Sequence, residues 1–298
     1  MDGRGESRRS ALASWVEPVV SRPDPLGPWA LDYDRLTELA DELAVDYRAG
    51  SPFPHVVLDD VFPDAILDDV AAEFPPVDDD RWALRDMTMQ HKQQWDDVNR
   101  LPPVIASFVA LLHTAPFLSF LERLTGIEGL MGDPHCRHGG PHQTLSGGFL
   151  KVHADQPVQP VLHLQRRVNV IVYLNRDWSP EWGGELELWD AAMTKCGQRI
   201  APLFNRVVVF DALGSNHGHP DPAQSPPDVV RRSVALYYYV SPVNPSALPS
   251  TGVTRPVLRA RPGEAFAGVA QPPSRWRRMA RNVTPPVLAR RIRPAPPR

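Results

Sequence analysis

The stretch Gly147-Gly-Phe-Leu-Lys-Val-His153-Ala-Asp155 opens the part of the chain, Gly147 to Val240, whose reading decides the fold. Short runs rich in β-branched and aromatic residues recur there at Gly148 to His153, Arg167 to Leu174, Glu185 to Trp189, Arg206 to Phe210 and Arg232 to Val240, separated by Gly, Pro and Asn clusters. Short strands punctuated in this way predict a sandwich or a barrel. Successive side chains of a strand point to opposite faces, so His153 and Asp155 project to the same side. His217 lies in Asn216-His-Gly-His-Pro220, a turn-like segment after the Arg206 to Phe210 run, and is expected on a loop delivered by that strand.

His153, Asp155 and His217 are the candidate metal ligands. Two imidazoles and one carboxylate on one side of an ion leave the opposite positions open, which is the arrangement of non-haem Fe(II) oxygenases. His219 stands as the rival of His217. A His-x-Asp pair alone is a weak signal, because two polar residues at that spacing arise by chance in many chains. The downstream residues give it weight. Arg231-Arg-Ser233 opens a β-rich run that reaches Tyr237-Tyr-Tyr239, and an arginine fork is the natural partner of a ligand carboxylate. By alternation Arg231, Ser233, Ala235 and Tyr237 share a face polar and small enough to admit a ligand, while Arg232, Val234, Leu236 and Tyr238 share the other.

In order, His153-Ala-Asp155, Asn169-Val-Ile-Val-Tyr-Leu-Asn175, Asp177-Trp178, Gly183-Gly-Glu-Leu-Glu-Leu188, Asn205-Arg-Val-Val-Val-Phe210, His217-Gly-His-Pro220 and Arg231-Arg-Ser233 resemble the catalytic domain of Fe(II)- and 2-oxoglutarate-dependent dioxygenases of the prolyl-hydroxylase-like superfamily. Phe53-Pro-His-Val-Val-Leu-Asp-Asp60 and Leu124-Thr-Gly126 extend the likeness in outline to residues 50 to 242. The resemblance implies an α+β, mainly β chain: a double-stranded β-helix, or jelly roll, with N-terminal helices packed on it. It implies Fe(II) on His153, Asp155 and His217, with 2-oxoglutarate and O2 at the open positions and ascorbate as an accessory reductant. Arg231 and Ser233 would take the distal carboxylate of 2-oxoglutarate. Tyr173, Leu186 and Gln143, with His142 as the alternative to Gln143, would complete the cosubstrate site. Hydroxylation is the implied outcome, because the family's halogenases lose the carboxylate that Asp155 keeps, and succinate and CO2 would be released. The substrate, a peptidyl or free amino acid or a small metabolite, stays open, as does the oligomeric state. The competing reading is a non-catalytic, cupin-like jelly roll that binds a metal or a metabolite.

The 298 residues, 42% of them hydrophobic, suffice for one sizeable core with extensions. The net charge of −3 hides an asymmetry: from Val243 onward eleven arginines face one acidic residue, a net of +10, so the preceding residues carry −13. An acidic body with a basic tail is not the footprint of a nucleic-acid-binding protein. Two cysteines, Cys136 and Cys196, are too few for a disulfide scaffold. No stretch approaches the ~20 apolar residues of a membrane span, and the polar Met1 to Ser10 lacks a secretory pattern. A cytoplasmic protein without membrane or nucleic-acid partners is expected.

The division expected is a flexible arm (1–30), a dioxygenase domain (31–242) with a helical part (31–130) and a jelly-roll core (131–242), and a Pro/Arg-rich tail (243–298) without the residues for a core. Within the helical part, Asp32 to Tyr47, Pro63 to Phe74 and Pro102 to Thr125 show helical spacing or start signals, Phe53 to Leu58 reads as a strand, and Arg81 to Trp95 is ambiguous. Asp133-Pro-His-Cys-Arg-His-Gly-Gly-Pro-His-Gln143 offers His135, Cys136, His138 and His142 as a zinc alternative, although one thiolate among glycines and prolines favours an irregular loop. In the tail, Arg275 to Arg281 has the makings of a short basic helix.

Overall fold

Val168, Val170 and Val172 alternate with Asn169, Ile171 and Tyr173 along one ten-residue strand, and this alternation separates two cores. The valines pack against a layer of helices, while Ile171 and Tyr173 face the inside of a curled sheet. A strand covered on both sides in this way reads as a nearly continuous apolar run. The computed structural model describes residues 20–21, 29–87, 90–95, 97–159, 161–242 and 257–264. Its contacts divide the chain after Gly263, and the elements among the described residues lie in the first unit. The expected Arg275 to Arg281 helix lies outside the described residues.

In chain order the elements are β1 (Val20–Ser21), β2 (Ala30–Leu31), α1 (Tyr33–Ala49), β3 (His55–Asp59), α2 (Asp64–Ala72), β4 (Trp82–Met87), β5 (Gln90–Trp95), α3 (Pro103–Leu111), α4 (Ala115–Thr125), β6 (Met131–Gly132), β7 (Gly140–Thr144), β8 (Phe149–Ala154), β9 (Val158–Gln159), β10 (Leu164–Tyr173), β11 (Leu186–Trp189), β12 (Cys196–Ile200), β13 (Arg206–Asp211), β14 (Asn216–His219), β15 (Arg231–Val240) and β16 (Val257–Leu258). Hydrogen bonding orders the strands β12-β11-β14-β8-β5-β7-β15-β10-β13-β3, antiparallel at each pairing. This is the jelly roll with N-terminal helices that the sequence leads one to expect.

The helices arise from local chemistry. Asp32 caps α1 by accepting from Arg35 N at 3.0 Å, and Leu36, Leu39, Ala40 and Tyr47 form its buried face. The stretch Pro102 to Thr125, expected as one helical run, is two helices. Pro116 lacks an N–H and would clash with the preceding turn, so it is tolerated only where a new helix begins. The ambiguous Arg81 to Trp95 is the hairpin β4–β5, whose second strand enters the middle of the sheet between β8 and β7.

Two short pairings fall in the segments expected as arm and tail. Val20–Ser21, placed in the flexible arm, pairs with Ala30–Leu31. The tail returns to the domain: Val257–Leu258 pairs with β8 at Ala154 and His153. A strand needs only an open edge and backbone partners, so the lack of large apolar residues did not exclude pairing there.

Asn205 ties the two layers together. It holds the left-handed backbone at φ 57° just before β13, a conformation asparagine tolerates better than most residues. Its Oδ1 accepts from Phe62 N at 3.0 Å and its Nδ2 donates to Phe62 O at 2.6 Å. Asn205→Ala would leave both main-chain groups without those partners in a buried setting, at roughly 1–3 kcal/mol each. The expected result is a loss of about 2–6 kcal/mol in urea denaturation with an unchanged slope. A variant as stable as wild type would show that this tether contributes nothing to stability.

Candidate metal centre

His153 and His217 face each other across neighbouring strands: they are direct partners in the β8–β14 pairing, with ring centroids 4.6 Å apart. His217 therefore lies on a strand and not on the expected loop. Its Gly/Ser/Asn/Pro surroundings read as a turn, but β8 and β11 pair with it on either side. Asp155 comes after Ala154 at the end of β8. Its Oδ1 is 3.4 Å from His153 Nε2 and its Oδ2 3.8 Å from His217 Nε2. One ligand atom from each of the three residues falls within 4.8 Å of the others, the sole such group of His, Cys, Asp or Glu among the described residues.

The pairing is possible because β8 is bulged. His217 opposes His153 but His219 opposes Leu150, so β8 advances three residues while β14 advances two. Gly218 lies over this irregularity. A Cβ there would stand 2.7 Å from Leu150 O and 2.9 Å from Lys151 O, closer than main chain allows.

The hydrogen bonds prepare the triad for a cation. His153 Nδ1 is 3.0 Å from Lys151 O and His217 Nδ1 is 3.2 Å from Ser215 O. A carbonyl oxygen only accepts, so each Nδ1 carries the proton and each Nε2 lone pair points to the common centre. Burial pushes the His217 imidazole down to about 4, which keeps it neutral and able to ligate. Burial alone would raise the Asp155 carboxyl. The neighbouring Arg166 guanidinium leads the interactions that outweigh burial and hold it well below the usual carboxylate range. Arg166 Nη1 lies 3.0 Å from Asp155 Oδ2, which also accepts from Asn169 Nδ2 at 2.6 Å. Two Nε2 lone pairs and one fixed anion suit a divalent iron.

A second group of residues adjoins the triad. Across β7, β15 and β10 the register places His142, Ser233 and Tyr173 in one row and Thr144 and Arg231 in the next but one, all on the inner face. Arg231 is 5% exposed. It donates through Nε to Gly184 O at 2.8 Å and through Nη2 to Tyr173 Oη at 3.3 Å. No carboxylate among the described residues pairs with it, and a buried guanidinium with only neutral acceptors suits an anionic ligand. Arg232 points the other way, towards Phe74 in the helix-side core, as strand alternation requires.

The other cosubstrate candidates separate. Leu186 joins Tyr173, Leu188, Ile200, Val208 and Phe210 in the inner apolar cluster. Gln143 does not reach this cavity. It shares a row with Gln93 and Arg232 on the opposite face, and its Nε2 donates to Gln93 Oε1 at 2.5 Å. The inward residue of that strand is His142. Two inward residues escape sequence reasoning. Lys92 and Gln94 lie on the inner face of β5, level with Thr144 and His142, but Gln90-His-Lys-Gln-Gln94 is polar at every position and carries no alternation to read. His219 is buried on the face of His217 and stands near Arg231, Lys92, His153 and His142. It lies outside the triad, and its Nδ1 has no hydrogen-bond partner among the described residues.

The zinc alternative in the Asp133 to Gln143 loop is not assembled. Burial pushes the Cys136 thiol up to about 12, His142 Nε2 faces His138 O at 3.1 Å, and Asp133 accepts from the backbone of His135 and Arg137. The loop is built on its own hydrogen bonds.

Residues 140–239 match the model of the 2OG-Fe(II) oxygenase superfamily. Its cofactors are Fe(II) and 2-oxoglutarate. No curated protein matches the chain. Among solved structures it is similar to a prolyl-4-hydroxylase from Pseudomonas putida, at 20% identity over 70% of this chain and 100% of the other, with a TM-score of 0.47. It is similar also to a prolyl 4-hydroxylase from Phytophthora capsici, at 21% identity over 72% and 67% of the two chains and a TM-score of 0.49. A third is HygX from Streptomyces hygroscopicus with nickel, 2-oxoglutarate and hygromycin B bound, at 14% identity, 67% and 86% coverage and a TM-score of 0.47. Likenesses at this level decide neither substrate nor mechanism.

Gly218→Ala tests the bulge. Overpacking of this kind costs about 1–3 kcal/mol, and the strain falls on the two strands that carry the histidines. Lower stability and a clearly weaker Mn(II) affinity are expected in calorimetric titration. Wild-type affinity in this variant would show that the close approach at Gly218 does not set the ligand geometry.

Proposed function

We propose that this domain hydroxylates an organic substrate, a peptidyl or free amino acid or a small metabolite, at the expense of 2-oxoglutarate and O2, with release of succinate and CO2. The observation that carries this reading is a conjunction inside one curled sheet. The triad presents two Nε2 lone pairs and a carboxylate to one centre, and the buried Arg231 lies nearby with Tyr173 and no acidic partner among the described residues. Bound Fe(II) supplies the oxygen-activating redox chemistry that no side chain provides. His153 and His217 would hold it through Nε2, and Asp155 would add the negative charge, steadied by Arg166 and Asn169. Arg231, Tyr173 and Ser233 would bind the distal carboxylate of 2-oxoglutarate. Leu186, Leu188, Val208 and Phe210 would keep water from the reacting groups.

The carboxylate at Asp155 supports hydroxylation over halogenation, since it fills the position a halide needs. A binding module without turnover has no use for both the triad and the arginine subsite, which disfavours the cupin-like alternative. We also place the protein in the cytoplasm, a reading supported by its low cysteine content, and take residues 31–242 together with the Val257–Leu258 strand as the working domain.

Anaerobic addition of Fe(II) and 2-oxoglutarate should give a weak visible charge-transfer band that zinc cannot produce, and admission of air should yield succinate. Asp155→Ala is expected to abolish succinate formation while the fold survives. Turnover within about tenfold of wild type, a loss of only ~1.4 kcal/mol in the barrier, would take Asp155 out of the metal site. A shielded, charge-assisted pair at Arg231 is worth roughly 1.5–3 kcal/mol, so Arg231→Ala should raise the 2-oxoglutarate requirement about ten- to a hundredfold. Arg232→Ala should change it little, and a larger penalty in Arg232→Ala would overturn the subsite.

A further inference from the structure

The segment around β16 touches the metal centre from outside. Ala154 lies between the ligands His153 and Asp155, and it is paired on both edges: with Asn216 of β14 on one side and with Val257 of β16 on the other. His153 is held likewise between His217 and Leu258. Arg259 N donates to Val152 O at 2.9 Å and extends the ladder by one bond. On that edge of β8, β5 reaches only Phe149 and Leu150. The ligand-bearing end of β8 therefore depends on β16 for its outer partner.

A side-chain clasp lies beside this ladder. Arg261 makes a two-pronged contact with Asp221, at 2.7 and 3.1 Å, and its Nη1 is 3.7 Å from Glu187 Oε2. Glu187 belongs to β11, opposite Gly218, and its side chain is 2% exposed. Its other partners are Arg199 at 2.6 Å and Trp189 Nε1 at 2.7 Å. Asp221 comes after Pro220, just beyond β14. Arg261 thus bridges β11 and the exit of β14, the strand that carries His217.

We propose that residues 257–261 form a strap that holds the two histidine-bearing strands in the geometry the metal requires, with Arg259 N–H and the Arg261 guanidinium as its positioning groups. A metal site needs its ligands held within about 0.5 Å of the productive arrangement by supports outside the ligand set. An edge without its ladder loses that constraint at the residue between His153 and Asp155. The strap rests on the reading that the triad holds a divalent ion, and it has no part in 2-oxoglutarate binding.

The test uses the full-length chain as wild type, Arg259→Pro, Arg261→Gln and Arg261→Lys. Mn(II) affinity is measured by the EPR signal of the free ion, the Co(II) complex by its visible d–d spectrum, and metal-free stability by thermal unfolding. Removing supports of metal ligands typically lowers affinity about 10–100-fold. Arg259→Pro and Arg261→Gln are expected to lose about tenfold or more in Mn(II) affinity and to alter the Co(II) spectrum, with metal-free unfolding little changed. Arg261→Lys, which keeps the positive charge near Glu187, should recover most of the affinity. Wild-type affinity and spectra in Arg259→Pro and Arg261→Gln would overturn the strap. So would a loss that tracks the fall in metal-free stability without rescue by lysine, since that marks a general packing role. A wild-type chain that binds neither Mn(II) nor Co(II) would overturn the metal reading itself, and with it the strap.

Discussion

The cross-strand opposition of His153 and His217 is the constraint on which the rest of the structure depends. Two imidazoles can serve one ion only if their strands stay adjacent, in this register, with both rings turned inward. A slip of one residue would send a ligand to the outer face. The bulge in β8 and the bare backbone of Gly218 set the local approach, and the carbonyls of Lys151 and Ser215 fix the tautomers. The neighbours of these strands then acquire their meaning. β11 and β16 close the outer edges, and β7, β15 and β10 supply the opposite wall of the cavity.

That wall carries the charge balance. The Asp155 side chain is only 8% exposed, and a carboxylate removed from water is expensive unless it is paired and hydrogen-bonded. Arg166 and Asn169 meet that need. Arg166 is in turn stacked 3.8 Å over Tyr237 and donates to Tyr239 Oη at 3.2 Å, so two tyrosines of β15 fix the cation that fixes the ligand. The same strand provides Arg231 and Ser233. One strand thus serves both ends of the cavity, because alternate residues of β15 face inward along its whole length while Val234, Leu236 and Tyr238 anchor it to the helices.

The helical layer acts at a distance. Leu36, Leu39, Phe108, Phe117 and Leu121 cover the outer face of the sheet at β10 and β15, and this coverage lets those strands be apolar on one side and functional on the other. Without it, the row of valines would face water and nothing would fix which side of each strand looks inward.

By itself the sequence determined a β-rich sandwich or barrel, the inward phase of Arg231 over Arg232, and the candidate set His153, Asp155 and His217, because these are consequences of a two-residue period and of side-chain chemistry; the jelly roll in particular came from the family resemblance. Four matters were decided by tertiary structure alone. His217 sits on a strand because β8 and β11 pair with it, against the turn-like character of its own neighbours. Gln143 faces away and His142 faces in, because β7 takes its phase from β5 and β15. Lys92 and Gln94 reach the cavity from a hairpin whose uniformly polar strand shows no preferred face. Val257–Leu258 and Arg261 return to the domain because β8 has an edge to complete and Glu187 is a buried carboxylate within reach. Each of these depends on a partner distant along the chain, and a periodicity read within one segment carries no information about which partner folding will bring to it.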